Sequence, residues 1–365
     1  MYCQEFTVKS VNKSRYHWIT GAFVFRQTIN RKVDLSRFTD TTRHLTNSGI
    51  PTQGIAFYHQ STLDLLQGLS CSVGLRYDYE HARCDFSKVQ QLLNGNGETK
   101  SLEQFNRSLH FGQFTPRFSM QYLSSHNQLF YASVSKGYKA GGFNVSFLNN
   151  DDYLYSPEYN WNYEIGTKLS FLNNRLSADL SLFYIDWRNQ QITNTIPTVG
   201  NVIRNAGRSR NKGIEASFQA RPTKSWMMYM NYGYTDARFV HYQKEERGIL
   251  KDYGGNYLPM VPRHTFSLTT GYSFYDICSW IDRLTLNAGV SVTGPIYWYE
   301  DNQAKQSPYA LVNLRISINK GCFTWEVWSK NLTNTDYLSY YFVTSKAYAQ
   351  KGKPITLGTS VSISL

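Results

Sequence analysis

The sequence predicts an all-β fold, a transmembrane antiparallel up-and-down β-barrel, from alternation, connection length and composition. Between Thr265 and Phe274, large and mostly apolar side chains occupy every second position from Phe266, and small, mostly polar ones lie between them. A period of two is the signature of a β-strand. The same alternation predicts fourteen strands, near residues 14–27, 51–60, 68–82, 107–123, 128–138, 161–171, 176–190, 206–220, 226–237, 263–275, 283–293, 309–318, 322–331 and 354–365.

Short and long connections alternate strictly between the predicted strands. The short links, rich in turn-forming residues, include Ser124–Asn127, Leu172–Arg175, Arg221–Ser225 and Asn319–Gly321. The long polar loops include 83–106, 139–160, 238–262 and 332–353. A soluble sandwich has no reason to keep this rotation, whereas an outer-membrane barrel has short periplasmic turns and long extracellular loops. The pattern therefore predicts a barrel in the outer membrane of a Gram-negative bacterium.

Composition agrees with this fold and limits the alternatives. The mean hydropathy is −0.46, and no apolar run reaches the length of about 18 residues that a membrane helix needs. The 28 Tyr, 21 Phe and 8 Trp supply material for two aromatic belts. A net charge of +12 raises nucleic acid as a partner. Barrel patterning instead favours attraction to an anionic surface or substrate, so we expect no nucleic-acid partner.

The residue types that carry catalysis or bind metals show no recognisable spacing. The five cysteines are odd in number and scattered, and no paired Cys/His spacing suggests a metal. The eight histidines form no catalytic pattern with Asp or Ser. We therefore predict no catalytic residue, no metal site and no cofactor, and a protein that is not an enzyme.

A basic run and a set of loop aromatics are the candidate ligand contacts. Arg204, Arg208 and Arg210 lie in the densest basic segment and could attract an anionic ligand. The ordinary interpretation, which is favoured, is a solvated strand top that faces lipopolysaccharide phosphates or pairs with carboxylates in the lumen. The loop aromatics suit a siderophore, haem, cobalamin or glycan, although anchoring in the aromatic belts explains them equally well. The aromatic candidates are Tyr153, Tyr155, Tyr257 and Trp298.

Six ordered segments resemble TonB-dependent outer-membrane receptors. Each motif is weak alone, but together they follow the order of that family. The segments are Ser135–Asn144 (SKGYKAGGFN), Ser156–Lys168 (SPEYNWNYEIGTK), Asn205–Glu215, Val261–His264 (VPRH), Val327–Tyr337 (VWSKNLTNTDY) and Gly352–Pro354 (GKP).

The resemblance implies more than the residues alone predict. The fold would be about 14 C-terminal strands of a barrel of about 22 strands, so residues 1–365 would form a partial β-barrel domain without the plug and the TonB box. The implied function is energy-dependent import of a scarce nutrient, with a ferric siderophore as the leading substrate class. Implied partners are outer-membrane lipid and lipopolysaccharide, the small-molecule ligand, and the TonB complex in the full-length receptor. Residues 1–365 alone would not transport actively.

Two other functions stay open at this point. One is a passive porin-like channel, and the other is an enzyme acting at the barrel rim. A porin would need a complete barrel with its own signal peptide, and a rim enzyme would lose its activity when one histidine is replaced.

Overall fold

The computed structural model describes residues 1–11, 14–36, 41–93, 98–196, 199–205, 207–246, 249–343 and 346–364. In these ranges the chain is predominantly β-strand, with one short 3-10 helix at Asn150–Tyr153. No helix in these ranges is long and apolar enough to cross a membrane, a finding that does not concern crossing by strands.

The structure places twelve strands in the described part of the first half of the chain. They are β1 (Tyr2–Lys9), β2 (Tyr16–Ser36), β3 (Thr42–Leu66), β4 (Leu69–Leu92), β5 (Thr99–Leu123), β6 (Leu129–Lys139), β7 (Gly142–Phe143), β8 (Leu154–Tyr155), β9 (Glu158–Phe171), β10 (Leu176–Arg188), β11 (Gln191–Ile196) and β12 (Gly200–Asn205).

The longest strand of the second half has 16 residues, whereas the longest strands of the first half have 25. They are β13 (Arg208–Ala220), β14 (Trp226–His241), β15 (Gln243–Glu246), β16 (Ile249–Asp252), β17 (His264–Cys278), β18 (Ile281–Thr293), β19 (Ile296–Tyr297), β20 (Lys305–Gln306), β21 (Tyr309–Lys320), β22 (Phe323–Lys330), β23 (Leu338–Val343), β24 (Ala347–Lys351) and β25 (Thr356–Ile363).

Fifteen of these strands form one antiparallel sheet in which neighbours follow the order of the chain. The order is β1-β2-β3-β4-β5-β6-β9-β10-β13-β14-β17-β18-β21-β22-β25. The other ten strands form five two-stranded hairpins, β7-β8, β11-β12, β15-β16, β19-β20 and β23-β24, within the long connections. This up-and-down order confirms the predicted fold class.

Every predicted strand has a counterpart in the sheet, but the sheet holds one strand more. Tyr2–Lys9 was not predicted, because its few apolar residues gave too short an alternation. The prediction of a loop over 83–106 was wrong, since β4 continues to Leu92 and β5 begins at Thr99. In this stretch both faces of the strands carry many polar residues, so the alternation that revealed the other strands disappears.

The chain divides into two compact units, and the first contains a small hydrophobic core. This first unit comprises Met1–Met120, Val134–Trp161 and Trp187–Ala206. Ala82, Cys84, Phe86 and Phe143 are at most 7% exposed and pack together. Partly buried apolar side chains surround them, namely Ile50, Phe105, Leu109, Val145 and Phe147.

The second unit shows most clearly that the two faces of the sheet differ. It comprises Gln121–Ser133, Asn162–Asp186 and Gly207–Leu365. In β18, β21 and β22 the register aligns Leu286, Ile316 and Val327, which are 41%, 45% and 42% exposed. Asn287 and Arg315 pair on the opposite face. A row of large apolar side chains left exposed on one face is typical of a surface that contacts lipid.

Candidate ligand-binding site

A cavity of about 600 Å³ lies in the first unit, beside the last residues of β2 and β4 and the first residues of β3. Its other walls come from two loop segments, 145–147 and 199–201. The described residues that line it are Arg31, Val33, Leu35, His44, Thr46, Phe86, Lys88, Val145, Ser146, Phe147, Val199, Gly200 and Asn201. This volume falls within the range of small-molecule sites, about 300–1,000 Å³.

Strand register explains why these side chains share one face. Val33 pairs with Thr46 across β2 and β3, and Thr46 pairs with Lys88 across β3 and β4. Partners in an antiparallel pair project to the same side of the sheet. Arg31 lies two residues from Val33 and Phe86 two residues from Lys88, so the same face carries them as well.

The cavity combines positive charge with apolar surface. Arg31 and Lys88 contribute cations, and none of the described lining residues is Asp or Glu. Phe147 contributes a half-buried aromatic ring, and the ring of Phe86, which is 3% exposed, packs against it with the centroids 5.2 Å apart. Such a lining favours a ligand that is anionic and partly apolar.

One polar atom in the lining has no partner inside the described protein. The Nδ1 atom of His44 is buried and makes no hydrogen bond to the described residues. A buried polar atom without a partner costs about 1–3 kcal/mol.

The two loop segments of the cavity wall are fastened to each other by Asn144. This residue is 4% exposed, and its side-chain amide donates to the carbonyl oxygens of Asp152 and Ile203, both at 2.8 Å. Its side-chain oxygen accepts from the backbone N–H of Ile203 at 2.8 Å. One buried side chain therefore joins the connection after β6 to the hairpin β11-β12.

A buried ion pair strengthens the same junction. Arg204 donates to both carboxylate oxygens of Asp152, at 2.7 and 2.9 Å. The Asp152 side chain is 6% exposed and also accepts from the backbone N–H of Leu148 at 3.1 Å. The hydrogen bonds from Arg204 are the main cause that lowers the pKa of Asp152 below its ordinary value of 3.8. The carboxylate is therefore ionised at neutral pH.

This pKa shift makes the junction sensitive to acid. A carboxyl group whose pKa is lower in the folded state stabilises that state above its ordinary pKa, and the contribution disappears as the pH falls through the folded pKa. We expect pepsin to cleave the loop segments of the wild type more slowly than those of Asp152→Asn at about pH 5. The two rates should converge as the pH falls through the lowered pKa of Asp152, and a constant difference between them would contradict the assignment.

The predicted aromatic contacts of the first unit lie beside this junction. Tyr153 is only 3% exposed, its ring stacks on Phe105 at 4.7 Å, and its hydroxyl donates to Glu103. Tyr155 is half-buried, and a side chain added at Gly142 would come closer than 3.0 Å to its ring. The structure thus brings Arg204 and Tyr153 together on either side of Asp152, behind the cavity wall.

The other two predicted arginines belong to the second unit. Arg208 donates to Asp186 at 2.6 Å, which corresponds to the pairing with carboxylates that the sequence left open. Arg210 is exposed and lies opposite Arg238 in the register of β13 and β14. Their role as ligand contacts remains a prediction.

The predicted aromatic contacts of the second unit are packed among other side chains. The Tyr257 ring stacks on Tyr297 at 5.5 Å, and the Arg238 and Arg263 guanidinium carbons lie 4.0 and 4.9 Å from its centre. Trp298 is 6% exposed and lies 6.4 Å from Tyr340. Any ligand contact by these two residues also remains a prediction.

Sequence reasoning missed the cavity residues themselves. Arg31 falls in the unassigned stretch between two predicted strands, and Phe86 and Lys88 fall in the predicted loop 83–106. A usable signal was present, because Arg31, Val33 and Leu35 continue an alternation on β2. We found no group of His, Cys, Asp and Glu that could hold a metal in the part of the chain that the structure describes.

The protein has an antiparallel sheet with an exposed apolar face, and its long connections help to form a cavity. This combination is typical of outer-membrane β-barrel proteins. Residues 6–334 match the family model described as TonB dependent receptor-like, beta-barrel. Because this match covers most of the chain, the protein belongs to the TonB-dependent receptor β-barrel family. The family consists of Gram-negative outer-membrane proteins, so the predicted location is confirmed.

Individual relatives support this assignment. The pesticin receptor of Yersinia pestis is 23% identical over 354 residues, which are 93% of this chain and 48% of that protein. The ferrichrome outer membrane transporter/phage receptor of Escherichia coli K12 is 24% identical over 241 residues, 64% of this chain and 30% of that protein. This chain therefore spans about half the length of the pesticin receptor. Its match to the ferrichrome transporter covers 30% of that protein.

A solved structure shows the same fold. The crystal structure of the ferric yersiniabactin uptake receptor FyuA from Yersinia pestis matches with a TM-score of 0.82 at 20% identity. The match covers 99% of this chain and 53% of that one. At this identity the likeness establishes the β-barrel fold of the receptor family and leaves the ligand open.

Proposed function

We propose that this protein forms part of a receptor that takes up a ferric siderophore across the outer membrane. The cationic cavity of the first unit carries this proposal, since it is large enough for a small molecule and its described lining holds no carboxylate. The names of two relatives, the ferric yersiniabactin and ferrichrome receptors, point to the same substrate class. Members of the family bind TonB in general, and that coupling would drive uptake in the complete receptor.

The other two functions have weaker support. A passive channel has no need of a cavity that combines cations with an aromatic wall. An enzyme at the rim would need a nucleophile or base close to an orienting partner. The family and its relatives are transport receptors. We therefore propose binding and transport without chemistry on the ligand.

Removing the cavity cations should weaken binding of an anionic ferric chelate. A hydrogen bond to a charged group contributes about 1.5–3 kcal/mol, and about 1.4 kcal/mol corresponds to a tenfold change in affinity. We expect Arg31→Gln and Lys88→Gln each to raise the Kd at least about tenfold. The measurement is retention of radioactive iron by the purified protein in detergent, titrated with an iron-loaded anionic siderophore.

Lys32→Gln is the matched control for these variants. Lys32 follows Arg31 directly in β2 and therefore projects from the opposite face of the sheet. The Lys32→Gln substitution removes one positive charge from the same strand as Arg31→Gln and should leave the Kd unchanged. Failure to bind any ferric chelate, or equal losses in all three variants, would overturn the proposed site.

A further inference from the structure

We propose that the cavity selects ferric chelates whose iron-binding groups are ionised aromatic rings, such as phenolates or catecholates. The inference rests on the proposed function and narrows its substrate class. It follows from the way aromatic rings and cations are placed around the cavity.

The aromatic side of the cavity is held rigidly. Phe147 meets Tyr153 edge-on, with ring centroids 4.4 Å apart and planes at 73°. Phe86 stacks on Phe105 at 4.7 Å with an angle of 11°. Phe147 is the half-buried ring of the cavity wall, and the rings of Phe86, Phe105 and Tyr153 pack against it. Aromatic pairs contribute about 0.5–1.5 kcal/mol beyond the area they bury, so such a fixed wall discriminates in favour of a ring.

The charged side of the cavity selects for anions. Thr46 of β3 pairs with Lys88 of β4 on one side and with Val33 of β2 on the other, which places a cation and an apolar side chain on the same face, one on each side of β3. Arg31 adds a second cation two residues from Val33. A ligand that fills this space must therefore present negative charge and apolar surface to adjacent parts of the wall.

The three common chemistries of iron chelation differ in these two properties. Ferric catecholates and phenolates carry both negative charge and aromatic rings. Ferric citrate carries negative charge without rings, and a ferric trihydroxamate carries neither at its iron centre. Only the first class matches both sides of the cavity.

Competition among defined iron complexes tests this inference on the unmodified protein. Iron(III) tris-catecholate, iron(III) citrate and an iron(III) trihydroxamate would each be titrated against the purified full chain in detergent, with retained radioactive iron as the readout. We expect the catecholate complex to bind at least tenfold more tightly than citrate, and the trihydroxamate to bind most weakly.

A variant then separates aromatic recognition from charge. Phe147→Leu keeps an apolar side chain but removes the ring, and should weaken binding of the catecholate about tenfold while leaving citrate unchanged. Phe342→Leu is the control, because Phe342 stacks on Tyr348 at 5.1 Å in a loop hairpin of the second unit. Equal thermal unfolding of both variants and the wild type would show that neither change disrupts the fold.

The possible outcomes separate this inference from the proposed function. If citrate binds as tightly as the catecholate, or Phe147→Leu weakens both equally, aromatic selection is wrong although uptake of a ferric chelate still stands. If none of the three complexes binds, the proposed function fails, and the inference fails with it. Preferred binding of the catecholate that depends on Phe147 would support both.

Discussion

Arg204→Ala is expected to destabilise the junction between the two loop segments of the first unit by about 3 kcal/mol. Removing one partner of a buried ion pair costs about 3–5 kcal/mol, since the other charge stays buried and uncompensated. We expect the lower end of this range, because the Arg204 side chain is 33% exposed whereas that of Asp152 is 6% exposed. Hydrogen exchange measured by mass spectrometry on peptides from 140–157 and 191–205 would report the change.

A second arginine provides the control for this experiment. Arg210 belongs to the same basic segment but is exposed on β13. Arg210→Ala should therefore change protection by less than about 0.5 kcal/mol. Equal exchange in the wild type and Arg204→Ala would show that the ion pair does not hold the two segments together.

Ile316→Arg is expected to destabilise the folded protein in a bilayer by about 2–4 kcal/mol, the cost of an arginine near the middle of the lipid-facing surface of a barrel. Ile316 lies near the middle of β21, between the exposed Leu286 and Val327 of the neighbouring strands. A guanidinium at this position would have to leave water for hydrocarbon. Urea unfolding of the protein reconstituted in vesicles would measure the difference.

The opposite face of the sheet supplies a control with the same new side chain. Ser360 lies in β25 beside Glu326, with its hydroxyl 3.3 Å from that carboxylate. Ser360→Arg would place the cation next to an existing anion and away from lipid, so we expect little loss of stability. If both variants unfold at the same urea concentration, the faces have been assigned wrongly.

The sequence predicted most of the sheet because lipid imposes a strict rule on one face. Strands such as β17 and β18 carry large apolar residues at every second position, and both were placed within a few residues of their observed bounds. Beyond the apolar band this rule no longer applies. Water contacts that part of the strands, so polar residues such as Asp85 and Lys88 can occupy both faces. The sequence pattern there resembles that of a loop.

The candidate site was predicted only in part for the same reason. Arg204 and Tyr153 were chosen for charge and aromatic character, and the structure places them behind the cavity wall. Arg31 and Lys88 line the cavity, yet their alignment depends on a register between strands far apart in the sequence. Local patterns predict which residues alternate, but only the pairing of strands shows which of them meet.

The three hydrogen bonds of Asn144 have a mechanical consequence for the cavity. The segments 145–147 and 199–201 are separate in sequence, and each supplies part of the wall. Asn144 and the Asp152–Arg204 pair fasten the two segments together. The two segments therefore form one connected part of the cavity wall. A displacement of either segment would therefore have to break these hydrogen bonds or move the other segment with it.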